Sequence, residues 1–243
     1  MSKTYEALKR AEALRAQERA TETFDVPYPT PTIPLHGADD YYELRRSLLG
    51  SAVGENVRTI LVVSSLHGEG ASSVACLLAR AIAEGGRARA LLVDLNLRTP
   101  ALWRLMNVSG QTGFMNVIAE NRRVDEVIQP TDLEGVAIVT AGSGRVSAVD
   151  VIDNPKTAEV VTGLSRLADV TFIDAPPVSL YPDARALAPL VDGVILVVEA
   201  DVTPVNVASR SAEIIRETGA NLLGVVLNKT RPYIPERIAA MLG

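Results

Sequence analysis

Residues 60–74 read Ile-Leu-Val-Val-Ser-Ser-Leu-His-Gly-Glu-Gly-Ala-Ser-Ser-Val. A continuous run of β-branched and aliphatic residues suits a strand buried on both faces. It runs into a short glycine loop, and an apolar pattern at helical spacing (Val74, Leu77, Leu78, Ala81) follows at once. Few folds accommodate this order. A strand that ends in such a loop and turns directly into a helix aims unpaired backbone N–H groups, and the positive end of the helix dipole, at one point. That point suits a phosphate.

The rest of the chain repeats the rhythm. Strands are expected at 58–64, 89–94, 136–139, 169–173, 193–199 and 222–227, and helices at 39–50, 72–84, 155–167, 183–190, 204–217 and 233–241. Gly85-Gly86 is placed to end the second of these helices. Alternating apolar strands and helices predict an α/β fold, a doubly wound, mainly parallel sheet with helices on both faces. Such a sheet binds ligands at the carboxyl ends of its strands.

Residues 2–20 read as a helix with a narrow apolar stripe at Tyr5, Leu8 and Ala11, suited either to solvent or to docking a partner. Pro27, Pro29, Pro31 and Pro34 favour an extended linker. The expected organisation is therefore an N-terminal helix and linker over 1–37 and one domain over 38–243. A net charge of −5 argues against nucleic acid as the partner. No run approaches the roughly 18–20 apolar residues of a membrane span, and the charged N-terminus lacks the apolar core of a secretory signal. The expectation is a cytoplasmic protein. The single cysteine, Cys76, lies on the apolar side of a helix and reads as a core residue.

Gly68 and Gly70 permit the loop's tight turn, and Ser72 or Ser73 opens the helix, where a hydroxyl can take Mg²⁺. His67, Gly68, Glu69, Gly70, Ala71, Ser72 and Ser73 are the candidate nucleotide-binding residues. Two strands end in a carboxylate, at Asp94 and Asp174. Each alone suits a helix cap; together beside the loop, with Ser72, they suit a shared metal site.

With these motifs in view the chain resembles the P-loop domain of the bacterial tyrosine kinases of capsular and exopolysaccharide synthesis, whose fold is similar to that of the partitioning and division-site ATPases. His67-Gly68-Glu69-Gly70-Ala71-Ser72-Ser73 stands where the family has Pro-Gly-Glu-Gly-Lys-Ser-Thr. Asp94-Leu95-Asn96-Leu97-Arg98-Thr99-Pro100 matches its Asp-x-Asp-x-Arg-x-Pro, and Ile173-Asp174-Ala175-Pro176-Pro177-Val178 its Ile-Asp-Thr-Pro-Pro-Val. Asp183 and Asp192-Gly193 follow in order. Gly224-Val225-Val226-Leu227-Asn228 matches an ending whose asparagine resembles an adenine-reading residue. The resemblance implies ATP or ADP with Mg²⁺ as ligands. It also implies a membrane-embedded polysaccharide co-polymerase or export protein as partner, reached through residues 2–20, and homo-oligomers.

The chain departs from that pattern in places that matter. Ala71 replaces the lysine that pairs with the β- and γ-phosphates, and the only lysines are Lys3, Lys9, Lys156 and Lys229. One charge-assisted hydrogen bond is worth roughly 1.5–3 kcal/mol, so its loss weakens binding about 10- to 150-fold. A donor aimed at transition-state charge supplies about 10²–10³ in rate. Asn96 replaces a carboxylate and cannot act as a base. Tyr233 stands alone where active members carry a tyrosine cluster, and Glu43 precedes Arg46 where the oligomerisation motif has arginine. Val146–Val151 is more apolar than a surface loop requires. The expected function is regulation of polysaccharide synthesis or export with impaired phosphoryl transfer. The alternatives are an active kinase or ATPase in which Arg98, Lys229 or a neighbouring subunit replaces the lysine, and a partitioning-type ATPase.

Overall fold

The computed structural model describes residues 57–230, apart from 85, 87 and 145. Seven strands form one sheet in the order β3-β4-β2-β5-β1-β6-β7. In chain order the elements are β1 (Thr59–Ser64), α1 (Ala71–Ala83), β2 (Ala90–Asp94), α2 (Leu102–Leu105), α3 (Phe114–Ala119), β3 (Gln129–Pro130), β4 (Val136–Val139), α4 (Ala148–Ile152), α5 (Pro155–Gly163), β5 (Val170–Asp174), α6 (Asp183–Leu187), β6 (Gly193–Glu199), α7 (Val205–Glu217) and β7 (Leu222–Asn228). Only the two-residue β3 runs antiparallel, against β4; β1, β2, β4, β5, β6 and β7 pair in parallel.

Every residue of β1, β2 and β5 is buried, which explains their unbroken apolar character. Alternate side chains feed opposite layers. Ile60 and Val62 join α1 and Leu102 on one face. Leu61 and Val63 pack on the other with Phe114, Val151, Val161, Leu187 and Ile215. The chain goes from β1 across β5 to β2 and β4, and later returns to build β6 and β7 on the other flank of β1. β1 thus sits where the winding reverses, and its carboxyl end opens into the crevice such a sheet offers a ligand.

The strand expectations agree with the structure to within a residue or two at each end. Two helices are shorter than their patterns predict. The helix expected over 155–167 ends at Gly163 and finishes in a 3-10 turn, Leu164–Arg166; the one expected over 183–190 ends at Leu187 before a 3-10 turn, Ala188–Leu190, that contains Pro189. Helix α1 closes at Glu84, whose N–H donates to the Arg80 carbonyl, and Gly86, at φ 65°, donates to Ala83. The apolar stretch 146–151 forms most of α4, which buries Val151 and Ile152 in the core; packing accounts for its character. Among the described residues no helix is long and apolar enough to cross a membrane. The expected helices 2–20, 39–50 and 233–241, the proline linker, the boundary near 37, Glu43, Arg46, Tyr233 and Gly85 lie outside the described residues.

Candidate nucleotide site

The loop between β1 and α1 has the shape its glycines predict. Gly68 and Gly70 take φ of +85° and +93°, a region that L side chains rarely adopt. At Gly70 a Cβ would also come within 2.3 Å of Asn228 Nδ2. Gly70 is the N-cap of α1 and supplies no side-chain cap to the helix. Amides at such a terminus are left for an anion.

The loop is held from outside by groups distant in sequence. Glu69 is buried; its carboxylate accepts from the Leu66 N–H at 2.8 Å and from the Thr203 hydroxyl. Asn228 Nδ2 donates to the Glu69 carbonyl at 2.8 Å. Lys229 Nζ donates to the Gly68 carbonyl at 2.7 Å and pairs with Glu199 at 2.8 Å. His67, exposed at the loop tip, lies 3.3 Å from the Tyr181 hydroxyl through Nε2. Three segments at the carboxyl edge of the sheet therefore brace the phosphate loop: the turns after β5 and β6, and the end of β7.

Asp94 and Asp174 are register partners on β2 and β5, and both are wholly buried. They are not equivalent. Asp94 accepts the N–H groups of Asn96, Ala101 and Leu102, each at 3.1 Å, and so caps α2. Asp174 Oδ2 accepts the Ser72 hydroxyl at 2.6 Å, while Oδ1, buried, has no partner among the described residues. Ser65 Oγ, at the root of the loop, is likewise buried and unpartnered. Burial pushes the Asp94 carboxyl up to about 7, against the pull of its three amide donors. Burial, and then the Asp94 charge, hold Asp174 well above the usual carboxylate range, with the Ser72 hydrogen bond opposing. Two buried acids side by side, with only the weak pull of Arg104 on Asp94 to offset burial, are a site that favours added positive charge.

These donors fit a divalent ion. A hydroxyl and an orphaned carboxylate oxygen are the hard oxygen ligands that Mg²⁺ prefers, with phosphate and water completing the shell. Ser72 and Asp174 would hold it, and the ion would neutralise phosphate charge. Among the described residues no group of three or more His, Cys, Asp and Glu side chains could hold a metal ion by itself. Ser73 is exposed on the first turn of α1.

Ala71 is buried, its methyl packed in the apolar layer beneath α1. The sequence offers Arg98 and Lys229 as substitute cations. Arg98 forks onto Asp183 at 2.8 and 2.9 Å, with its guanidinium 4.4 Å from the centre of the Tyr181 ring. Lys229 reaches the loop on a carbonyl. Lys156 is remote and ties the Val117 and Arg122 carbonyls and Asn121 together. Asn96 accepts the Thr99 N–H and hydroxyl and fixes the turn after β2. Asp192, at the amino end of the sheet, accepts the Arg58 and Thr59 N–H groups and the Thr59 hydroxyl. Burial raises the Cys76 thiol, and the two aspartates raise it further, so it stays protonated.

The Arg98–Asp183 pair carries a stability prediction. Asp183 is 2 % exposed, and Arg98→Ala leaves its carboxylate buried without a cation. The loss should be about 2–3 kcal/mol, read by denaturant unfolding, and most of it should return in the double variant with Asp183→Asn.

A phosphate loop at the reversal point of a parallel sheet, with a hydroxyl and a strand-end carboxylate beside it, defines a P-loop NTPase type of site. Residues 56–237 match the family model ParA, described as NUBPL iron-transfer P-loop NTPase, and the chain belongs to that P-loop family. It is 22% identical over 191 residues to the tyrosine-protein kinase YwqD of Bacillus subtilis, covering 79% of this chain and 80% of that protein. It is 28% identical over 180 residues to the succinoglycan biosynthesis transport protein ExoP of Rhizobium meliloti, across 73% of this chain but 23% of ExoP. The crystal structure of the chimerical protein CapA2B2 superposes with a TM-score of 0.74 at 26% identity, covering 80% of this chain and 85% of that one. The fold and family agree with the resemblance seen in the motifs.

Proposed function

We propose that this chain regulates exopolysaccharide or capsule synthesis or export as a kinase-like P-loop protein whose nucleotide binding is weakened and whose phosphoryl transfer is lost. Its relatives include a tyrosine-protein kinase and a succinoglycan transport protein. The observation that carries the loss is local. The phosphate loop stands intact, yet Ala71 puts a buried methyl where the phosphate cation belongs, while Arg98 is committed to Asp183 and Lys229 to Gly68 and Glu199. Nucleotide then depends on backbone amides, on Mg²⁺ at Ser72 and Asp174, and on Asn228 at the base end. Asn96 further removes a base. On this reading the protein works in the cytoplasm by interaction, through residues 2–20, with a membrane-embedded co-polymerase or export protein. Incubation with Mg-ATP should yield no phosphotyrosine on the full chain; robust autophosphorylation would end the proposal.

One observation favours a second reading, an active enzyme. Lys229 is already on the loop, and its side chain is half exposed. If it swings from the Gly68 carbonyl to the phosphates when nucleotide binds, Lys229→Met should lower ATP affinity about tenfold or more. On the favoured reading Lys229→Met changes affinity less than about threefold, because its ammonium touches no phosphate.

A further inference from the structure

The buried part of the loop's outer brace runs through one hydroxyl. Glu69 is 2% exposed, and both of its carboxylate oxygens are used: Oε2 accepts the Leu66 N–H at 2.8 Å, and Oε1 accepts the Thr203 hydroxyl. The first bond closes the turn from Leu66 to Glu69 across Gly68, which stands at φ +85°. The second fixes the carboxylate from outside the loop. Thr203 is itself aimed. Its Oγ1 accepts the Glu199 N–H at 3.0 Å, and its own N–H donates to the Glu199 carbonyl at 3.0 Å. With that donor on one lone pair, the hydroxyl proton is left for Glu69. Glu199 ends β6 and pairs with Asn228 of β7. A relay of hydrogen bonds thus runs from the end of β6, through Thr203 and Glu69, to the first residues of the phosphate loop.

We propose that Thr203 is a positioning residue for phosphate binding: through Glu69 it keeps the empty loop in its anion-binding shape. This rests on the reading of the loop as a nucleotide site and names a residue that sets its affinity without touching the ligand. A hydrogen bond to a carboxylate is roughly twice as strong as a neutral one, and this one is shielded from water. The Lys229–Gly68 bond is half exposed and contributes less. Without the Thr203 hydroxyl, Glu69 would be a buried carboxylate holding only the Leu66 N–H. Recovering a partner then means turning the side chain or drawing the loop toward water. The backbone would follow. The N–H groups of Glu69 and Gly70 have no acceptor among the described residues, and they belong to the set a phosphate would use. In a loop with Ala71 in place of lysine, those amides carry the binding, so their order beforehand counts for more.

Thr203→Val keeps the shape of the side chain and removes the hydroxyl, and Thr203→Ser keeps the hydroxyl. Two measurements on the full chain decide the matter. In the nucleotide-free protein, the Leu66 amide, followed by NMR hydrogen exchange, should exchange about tenfold faster in Thr203→Val, beyond any change in β1 and β5, which report global stability. Calorimetric titration should show Mg-ADP binding about tenfold weaker in the same variant. Thr203→Ser should restore both. A change at Leu66 no larger than that in β1 and β5 would overturn the proposal, since Thr203 would then be a stabilising contact alone. So would a loss that Thr203→Ser fails to restore, or an unchanged Mg-ADP affinity beside faster Leu66 exchange. Absence of Mg-ADP binding by the unaltered protein would sink the nucleotide reading instead, and Leu66 exchange would then decide by itself whether Thr203 sets the loop.

Discussion

Ala71→Lys should tighten Mg-ATP binding by roughly 10- to 150-fold, the value of one charge-assisted hydrogen bond to phosphate. Position 71 is the first residue of α1, between Gly70 and Ser72, at the mouth of the loop. A lysine there would follow Gly70 directly and stand next to Ser72, whose hydroxyl donates to Asp174, its long stem carrying the ammonium out of the apolar layer that holds the Ala71 methyl. The same ammonium would add to the weak pull of Arg104 on Asp94 and relieve two buried carboxylates that face each other. Phosphoryl transfer should remain low in this single variant, because Asn96 cannot take a proton; the double variant with Asn96→Asp should regain more. Calorimetric titration checks the first step. An unchanged affinity would mean that phosphate does not sit on these amides, or that another cation already serves it.

The second large effect concerns pH. Asp94 is raised from its ordinary 3.8 to about 7, and Asp174 is raised with it. A carboxyl that binds its proton more tightly when folded than when unfolded makes stability greatest below the unfolded pKa. Stability then falls as pH rises through the folded one. The metal-free protein should therefore lose stability between about pH 4 and pH 7, by roughly 4 kcal/mol from Asp94 alone. Mg²⁺ should recover part of that loss, and more at high pH, since it competes with protons for the same oxygens. Asp174→Asn should remove Asp174's own share of the pH loss and abolish the Mg²⁺ response, and Asp94→Asn should remove the share that burial gives Asp94. Denaturant unfolding in chelator across this range checks it. Stability that climbs from pH 4 to 7 and ignores Asp174→Asn would contradict the electrostatic picture of the site.

Much of this was legible in the sequence, for identifiable reasons. Strands buried on both faces cannot alternate, so β1, β2 and β5 declare themselves as unbroken apolar runs. The glycines at 68 and 70 are the two the loop geometry requires. Helices α2, α3 and α4, of four to six residues, are too short to show a period, and the two-residue β3 shows none. At the site, the Ser72–Asp174 contact follows from a loop and a strand end placed side by side. The outer brace does not. Glu69 meets Thr203 across 134 positions, Lys229 meets Gly68 across 161, and His67 meets Tyr181 across 114. Nothing local marks those residues as partners. Asp94 and Asp174 look alike in sequence, and only the turn that brings Ala101 and Leu102 back to Asp94 tells the capping acid from the one with an oxygen to spare.

On the proposed reading a phosphate loop stands here without, among the described residues, the cation that phosphoryl transfer needs. Turnover of Mg-ATP by the purified full chain, followed together as ADP release and as phosphotyrosine, tests it most directly. Neither product should rise above the level of a Ser72→Ala, Asp174→Asn control. Steady ADP release that the control lacks, with micromolar, Mg²⁺-dependent affinity, would contradict it.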